Sequence, residues 1–212
     1  LDQLGEFSLL ELASGLSPRS LDYAQKGIRC IDTDLPHVIN LKEKLMRTIC
    51  ADSYSDRLHF APLNPLRWEE LVLAGEYLKS EKKIAVVTEG LLMYLADAEK
   101  STLRDNVARF LKTYSPQGAW ITTDFSSRPP EKENRVLCAA LQDIQNQTER
   151  EFHRFTNDEE VHSFLGDGGL RGTVIPNEQV IPRLTCLETL TIDQNTAGKI
   201  AYITKAWYVT LS

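Results

Sequence analysis

No two cysteines of the sequence are spaced as CxxC; Cys30, Cys50, Cys138 and Cys186 are scattered along the chain. That excludes a zinc ribbon and a small disulfide scaffold, and reduced thiols of a cytoplasmic protein are the simpler account. Basic runs are also missing: 24 Lys and Arg stand against 30 Asp and Glu, a net charge of −6. Such a chain offers little of the sequence-independent phosphate attraction on which nucleic-acid binding rests. No apolar stretch approaches the roughly 20 residues of a membrane span, and LDQLGEFSLLELASG lacks the basic flank of a secretory signal. An initiator Met is absent as well, so Leu1 is expected not to be the native start. The four histidines, His37, His59, His153 and His162, show no spacing such as HExxH, and no metal is expected. What remains is ordinary for a globular chain, 212 residues of which 42% are hydrophobic and 25% charged. It reads as one domain over 1–212 with neither repeats nor low-complexity linkers.

Strand-like and helix-like patterns alternate through the first 125 residues. Phe7 to Ala13 is a short apolar run that reads as a buried strand. Ser17 then suits a cap, Pro18 a first helical position, and Gly27 the position just past a helix end. Ile28 to Asp32 reads as a second strand. After Pro36, the residues Val38, Leu41, Leu45 and Ile49 recur at spacings of three and four and predict the buried face of a helix. Arg57 to Ala61 predicts a third strand, and Trp68, Leu71, Val72 and Leu78 the next helix. Ile84 to Thr88 predicts the fourth strand, Leu103 to Tyr114 a further helical stripe, and Ala119 to Thr123 a fifth strand. Trp68, Trp120 and Trp207 read as core. Parallel neighbours need crossover connections, so this alternation predicts a doubly wound, Rossmann-like α/β sheet.

The last third differs. A polar helical stretch from Glu131 to Arg150 leads to Thr156 and Glu159, which have capping-box spacing. GDGG breaks the helix that follows. Leu184 to Ile192 and Ile200 to Leu211, joined by DQNTAG, predict a C-terminal antiparallel hairpin.

In open parallel sheets, ligands bind beyond the carboxyl ends of the strands. Those ends carry Glu11-Leu12-Ala13-Ser14-Gly15, Asp32-Thr33-Asp34, Ala61-Pro62-Leu63-Asn64 and Thr88-Glu89-Gly90. A phosphate cradle asks for GxGxxG or GxxxxGK[ST], and neither is present. Glu11, Asp34 and Glu89 instead bring acceptors that suit ribose hydroxyls and an ammonium group. Asp34 also lies at about the 20-residue separation from the first loop at which an acid holds ribose. The pattern ranks S-adenosylmethionine above NAD. Arg19 reads as a solvent-facing helix residue or a structural ion pair.

At these residues the chain resembles the leucine carboxyl methyltransferase-like group of S-adenosylmethionine-dependent methyltransferases, which includes polyketide O-methyltransferase homologues. The matching blocks are ELASGLSPRS from Glu11, DTDLPHVINLKEKL from Asp32, HFAPLNPLRW from His59 and VVTEGLLMYL from Val86. The resemblance implies the class I methyltransferase fold and a cofactor loop at Ala13, Ser14 and Gly15. It implies that Asp34 binds ribose, that Leu63 and Asn64 border the adenine, and that Glu89, followed by Gly90, reaches the methionine end. Ala13 departs from the first glycine of many relatives, and Asn64 from an acid. An N-terminal helical segment that closes the site in relatives is expected to lie upstream of this chain.

The activity so implied is O-methyl transfer from S-adenosylmethionine to a carboxylate or hydroxyl of a small molecule or a peptide terminus. Tyr94, Asp124 and the segment from Phe152 to His162 are candidates for the acceptor pocket by position. No general base is assigned, because alignment of an activated donor can supply most of the catalysis. A non-catalytic binding module on the same fold and, further off, an NAD-dependent oxidoreductase are the alternatives. The oligomeric state is not legible in the sequence.

Overall fold

The computed structural model describes residues 1, 5–50, 56–79, 83–125, 154–183, 191–194 and 205–212. Cys138, Cys186, His153, the helical stretch 131–150 and most of the strand-like run 184–192 lie outside the described residues. Seven strands form one sheet: β1 (Phe7–Leu12), β2 (Cys30–Asp34), β3 (Leu58–Pro62), β4 (Lys83–Thr88), β5 (Ala119–Thr122), β6 (Leu170–Ile175) and β7 (Ala206–Leu211). Their spatial order is β3-β2-β1-β4-β5-β7-β6. The first five are mutually parallel, and β7 runs antiparallel to both β5 and β6. This is the doubly wound, Rossmann-like sheet expected, with its chain reversal between β1 and β4.

Helices cover both faces because each strand buries side chains alternately on one face and the other. Leu10 and Leu12 of β1 join a core with α3 (Trp68–Leu78), α4 (Asp97–Tyr114) and α5 (Asp158–Asp167), into which Trp120, Phe125 and Trp207 pack. Phe7 and Leu9 face the other way, toward α1 (Arg19–Gln25) and α2 (Pro36–Cys50). A short helix, α6 (Asn177–Val180), follows β6. Trp120 and Trp207 are fully buried as expected, whereas Trp68 lies at the margin of the core with Arg109 over its ring.

Four local expectations are corrected. The partner of the last strand is β6, in register from Leu170 with Leu211 to Ile175 with Ala206, whereas the run 184–192 expected in that place lies mostly outside the described residues. Pro18 precedes the first residue of α1 rather than occupying it. The cap of α5 is Asn157, whose side chain accepts from the Glu160 N–H, while Glu160 reaches back to the Thr156 N–H, one residue beyond the predicted Thr156 and Glu159.

The fourth correction concerns α2. Leu41, Leu45 and Ile49 face solvent, Ile49 with 76% of its surface exposed, and the buried residues are Ile39, Lys42 and Met46. Successive helical residues are 100° apart, so moving the buried stripe from Leu41 to Lys42 is one step of rotation. The cause lies in β2. Asp32 is 1% exposed, and an ionised carboxylate in that position demands a cation. Lys42, at 0% exposure, places its Nζ 2.7 Å from Asp32 Oδ2. Such a pair contributes little net stability over an apolar pair, but losing one partner is costly, so it fixes which face of α2 meets the sheet. Among the described residues no helix is long and apolar enough to cross a membrane.

Candidate functional site

Register brings the acids together. Glu11 lies directly beside Asp32 on neighbouring strands and beside Val87 of β4, with Leu12 next to Thr88. Glu11 and Asp32 are both nearly sealed from solvent and project to the same face as α1 and α2. Two adjacent carboxylates repel in a medium of low dielectric unless each has its own counter-charge. Asp32 has Lys42. Glu11 has Arg19, whose Nη1 donates to Oε1 at 2.8 Å, and Ser20, whose hydroxyl donates to Oε2 at 3.0 Å. Burial still pushes the Glu11 carboxyl above its ordinary value, with Arg19 pulling it back. Asp32 is likewise raised by burial and opposed by Lys42.

Arg19 has a second partner. Its Nη2 donates to Glu89, just past the end of β4 and 57% exposed. The predicted ion pair of Arg19 is therefore real, and it is double. Glu11 and Glu89, 78 positions apart in sequence, converge on one guanidinium at the strand ends.

The loop after β1 is held from β2. Ser14 N–H donates to the Thr33 carbonyl, Gly15 N–H to Asp34 Oδ2 at 2.8 Å, and the Lys42 ammonium reaches the Ser14 carbonyl at 3.5 Å. Asp34 Oδ1 accepts from Leu35 N–H. Asp34 thus joins the first and second loops, a job the sequence did not suggest. Ala13 and Gly15 both have left-handed backbone, φ 51° and φ 50°. A non-glycine residue there carries a steric cost, so the glycine of many relatives at this position has a visible reason.

Leu63 is buried in the core and its N–H donates to the Asp34 carbonyl. Asn64 closes a turn, its Oδ1 accepting from Leu66 N–H and its N–H donating to Glu70. Gly90 has φ 71°, and its N–H donates to Asp124 Oδ1, while Leu91 and Leu92 N–H groups reach Asp124 Oδ2. Asp124, at the end of β5, therefore braces the turn that carries Glu89 and the 3-10 segment Leu92–Tyr94. Burial drives its carboxyl above the usual range despite those N–H donors. Tyr94 is half-buried in that segment. Of the stretch from Phe152 to His162, residues 152 and 153 lie outside the described residues, Phe155 is core, and His162 packs edge-on to Trp207.

Along the α1 side, an open cleft of about 670 Å³ is walled by Ser17, Arg19, Tyr23, Thr88, Glu89 and Thr122 among others. Thr88 and Thr122 hydroxyls are bonded to each other, and Trp120 Nε1 donates to Thr88.

The sequence missed Lys42 and Ser20 and undervalued Arg19. An Asp in a strand otherwise buried was itself the signal that a cation must reach it. Ile39, Lys42 and Met46 carry the helical spacing of a face just as Leu41 and Leu45 do.

An open parallel sheet of order 3-2-1-4-5, with an antiparallel pair at its far edge, is the class I methyltransferase fold. Residues 8–108 match the family model described as leucine carboxyl methyltransferase, the family that the four sequence blocks resemble. Among curated proteins, none matches the sequence. Among solved structures, mitomycin 7-O-methyltransferase superposes with a TM-score of 0.62 at 13% identity, over 100% of this chain and 51% of that one. Human N-acetylserotonin methyltransferase, solved with SAM, gives 0.58 at 12% identity, over 98% and 48%. A SAM-dependent methyltransferase from Methanosarcina mazei gives 0.58 at 18% identity, over 100% and 96%. At these identities the likeness shows the fold, and the chain spans about half the length of the first two.

Proposed function

We propose that this chain is the catalytic domain of an S-adenosylmethionine-dependent O-methyltransferase that acts on a carboxylate or hydroxyl oxygen of a small molecule or a peptide terminus. The observation that carries this reading is the convergence of Glu11 and Glu89 on Arg19 beside a loop that Asp34 holds at Gly15, all at the carboxyl ends of β1, β2 and β4. The family match over residues 8–108 supports the same reading. The residues present fit the cofactor. Ser14 Oγ is buried without a hydrogen-bond partner among the described residues, and a side chain built on Gly15 or Gly90 would meet nothing within 4 Å, so the backbone there is open to a ligand.

Ala13, Ser14 and Gly15 would line the cofactor, Asp34 would accept from ribose, Leu63 and Asn64 would flank the adenine, and Glu89 with Gly90 would meet the amino-acid end. When bound, S-adenosylmethionine supplies a methyl group already activated by its sulfonium charge. The protein's part is then to align the acceptor with the donor and exclude water, and alignment alone can contribute roughly 7 to 11 kcal/mol. An anionic acceptor such as a carboxylate needs no base. Tyr94, in the 3-10 segment on the turn that Asp124 braces, would be offered to the acceptor; unchanged turnover in Tyr94→Phe would remove its hydroxyl from the chemistry.

Calorimetry with S-adenosylhomocysteine tests the assignment. Asp34→Ala and Glu89→Ala each remove a charged acceptor, a loss of about 1.5 to 3 kcal/mol, or roughly ten- to a hundredfold in Kd. Equal affinity for the wild type and both variants rejects the reading.

A second reading, a non-catalytic binding module, is favoured by one observation: Ala13 holds a left-handed backbone in the cofactor loop at a steric cost. Cofactor binding without methylation of any acceptor would favour it.

A further inference from the structure

Helix α2 leaves Leu41, Leu45 and Ile49 in water and sends Lys42 inward. Apolar burial alone favours the opposite rotation, and a buried ion pair brings little net stability over apolar residues of similar volume. Stability therefore does not account for the arrangement, and what the ammonium touches beyond Asp32 does. We propose that Lys42 is a positioning residue: it fixes the orientation of the Ser14–Gly15 peptide and, through that peptide, the direction of the Asp34 carboxylate.

A trans peptide is planar, with its C=O and N–H pointing opposite ways. Here the Ser14 oxygen faces inward, where it accepts from the Ser17 N–H at 3.0 Å and lies 3.5 Å from Lys42 Nζ. The other edge of the same plane is the Gly15 N–H, which donates to Asp34 Oδ2 at 2.8 Å. Lys42 and Asp34 thus grip one peptide from opposite sides. Glycine takes positive and negative φ about equally, so residue 15 by itself leaves the plane free to turn over. Turned by half a circle, the plane would set the Ser14 oxygen against the Asp34 carboxylate and an N–H against the ammonium. Both contacts repel, and the cation repels most, because Lys42 is 0% exposed and water does not screen it. A cation on the carbonyl also polarises the peptide and strengthens the N–H donor at its far edge. The part of Asp32, 2.7 Å from Nζ, is to hold the ammonium charged and in place. The consequence for the ligand rests on the cofactor reading above, in which Asp34 accepts from ribose.

Two variants separate positioning from stability. Asp32→Leu with Lys42→Met removes both ions and keeps the packing, whereas Asp32→Asn removes the anion and leaves the Lys42 side chain to donate to Ser14. Each is measured by urea unfolding, by hydrogen exchange at the Gly15 amide without ligand under native conditions, and by calorimetry with S-adenosylhomocysteine. The paired variant is expected to regain most of the wild-type stability. It should nevertheless exchange the Gly15 N–H at least about tenfold faster and bind about tenfold more weakly, the value of one charge-assisted hydrogen bond. Asp32→Asn should unfold at lower urea yet stay within about threefold of the wild type in both other readouts; if it does not fold, the paired variant decides alone. Gly15 exchange in the paired variant equal to that of the wild type overturns the proposal. So does equal affinity where the wild type binds, or a loss in Asp32→Asn as large as in the paired variant. Faster Gly15 exchange in a protein whose wild type binds no S-adenosylhomocysteine upholds the grip on the peptide and rejects the cofactor reading instead.

Discussion

The Asp32–Lys42 pair and the Arg19–Glu89 pair lie on the same face of one sheet, at β2 and just past β4, the two strands that flank β1, yet they do opposite things. The first is sealed, with 0% and 1% of the side chains exposed. Its ions cannot be traded for water or ligand, so it sets geometry: the rotation of α2 and, through the Ser14 carbonyl, the back of the loop after β1. The second opens on a cleft and can exchange a partner. The residue types are nearly the same, and burial decides which becomes scaffold and which becomes recognition.

The largest expected effect breaks the sealed pair. Lys42→Met leaves the Asp32 carboxylate without a cation, and urea unfolding at neutral pH should lose about 3 to 5 kcal/mol. Replacing both partners, Asp32→Leu with Lys42→Met, should recover most of it. If the single variant is as stable as the wild type, the pair does not constrain α2.

Ala13 lies between the two pairs with its left-handed backbone. Ala13→Gly should stabilise the fold by about 1 kcal/mol, since glycine carries no Cβ penalty there. No gain in the unfolding midpoint would mean that the loop relaxes without strain.

Asp124 sharpens the contrast, because it is half-buried where Asp32 is sealed, and is braced by N–H groups rather than by a cation. Its folded pKa is raised by burial. Its contribution to stability is therefore fully present below the ordinary carboxylate pKa, near pH 4, and declines as pH rises through the folded value. Asp124→Asn should flatten that decline by up to about 1.4 kcal/mol per pH unit. Urea midpoints of wild type and variant between pH 4 and 7 check this, and parallel curves would refute it.

The smallest effect breaks the open pair. Glu89→Gln should change global stability by no more than about 1 kcal/mol, the range of exposed ion pairs, even as it weakens the ligand. A loss as large as that of Lys42→Met would show that the Arg19–Glu89 bridge is structural, not exchangeable.

The parallel strands were legible because each is a short apolar run whose alternate residues face opposite cores; Phe7 and Leu9 against Leu10 and Leu12 are the pattern in miniature. The acids Glu11, Asp34 and Glu89 were legible for a related reason, since a carboxylate just at the end of such a run has no apolar purpose. α2 was misread because Leu41, Leu45 and Ile49 obey helical spacing as faithfully as the residues that are buried. Spacing identifies a face without saying which face meets the sheet.

Sequence alone determined the elements and the strand ends at which charge collects, because backbone periodicity and turn chemistry act among near neighbours. Only the tertiary structure decided that Lys42 goes inward while leucines go out, that β7 pairs with β6, and that one arginine joins acids 78 positions apart. Those choices turn on where a buried charge finds its counter-charge, and that is a property of the whole packed arrangement.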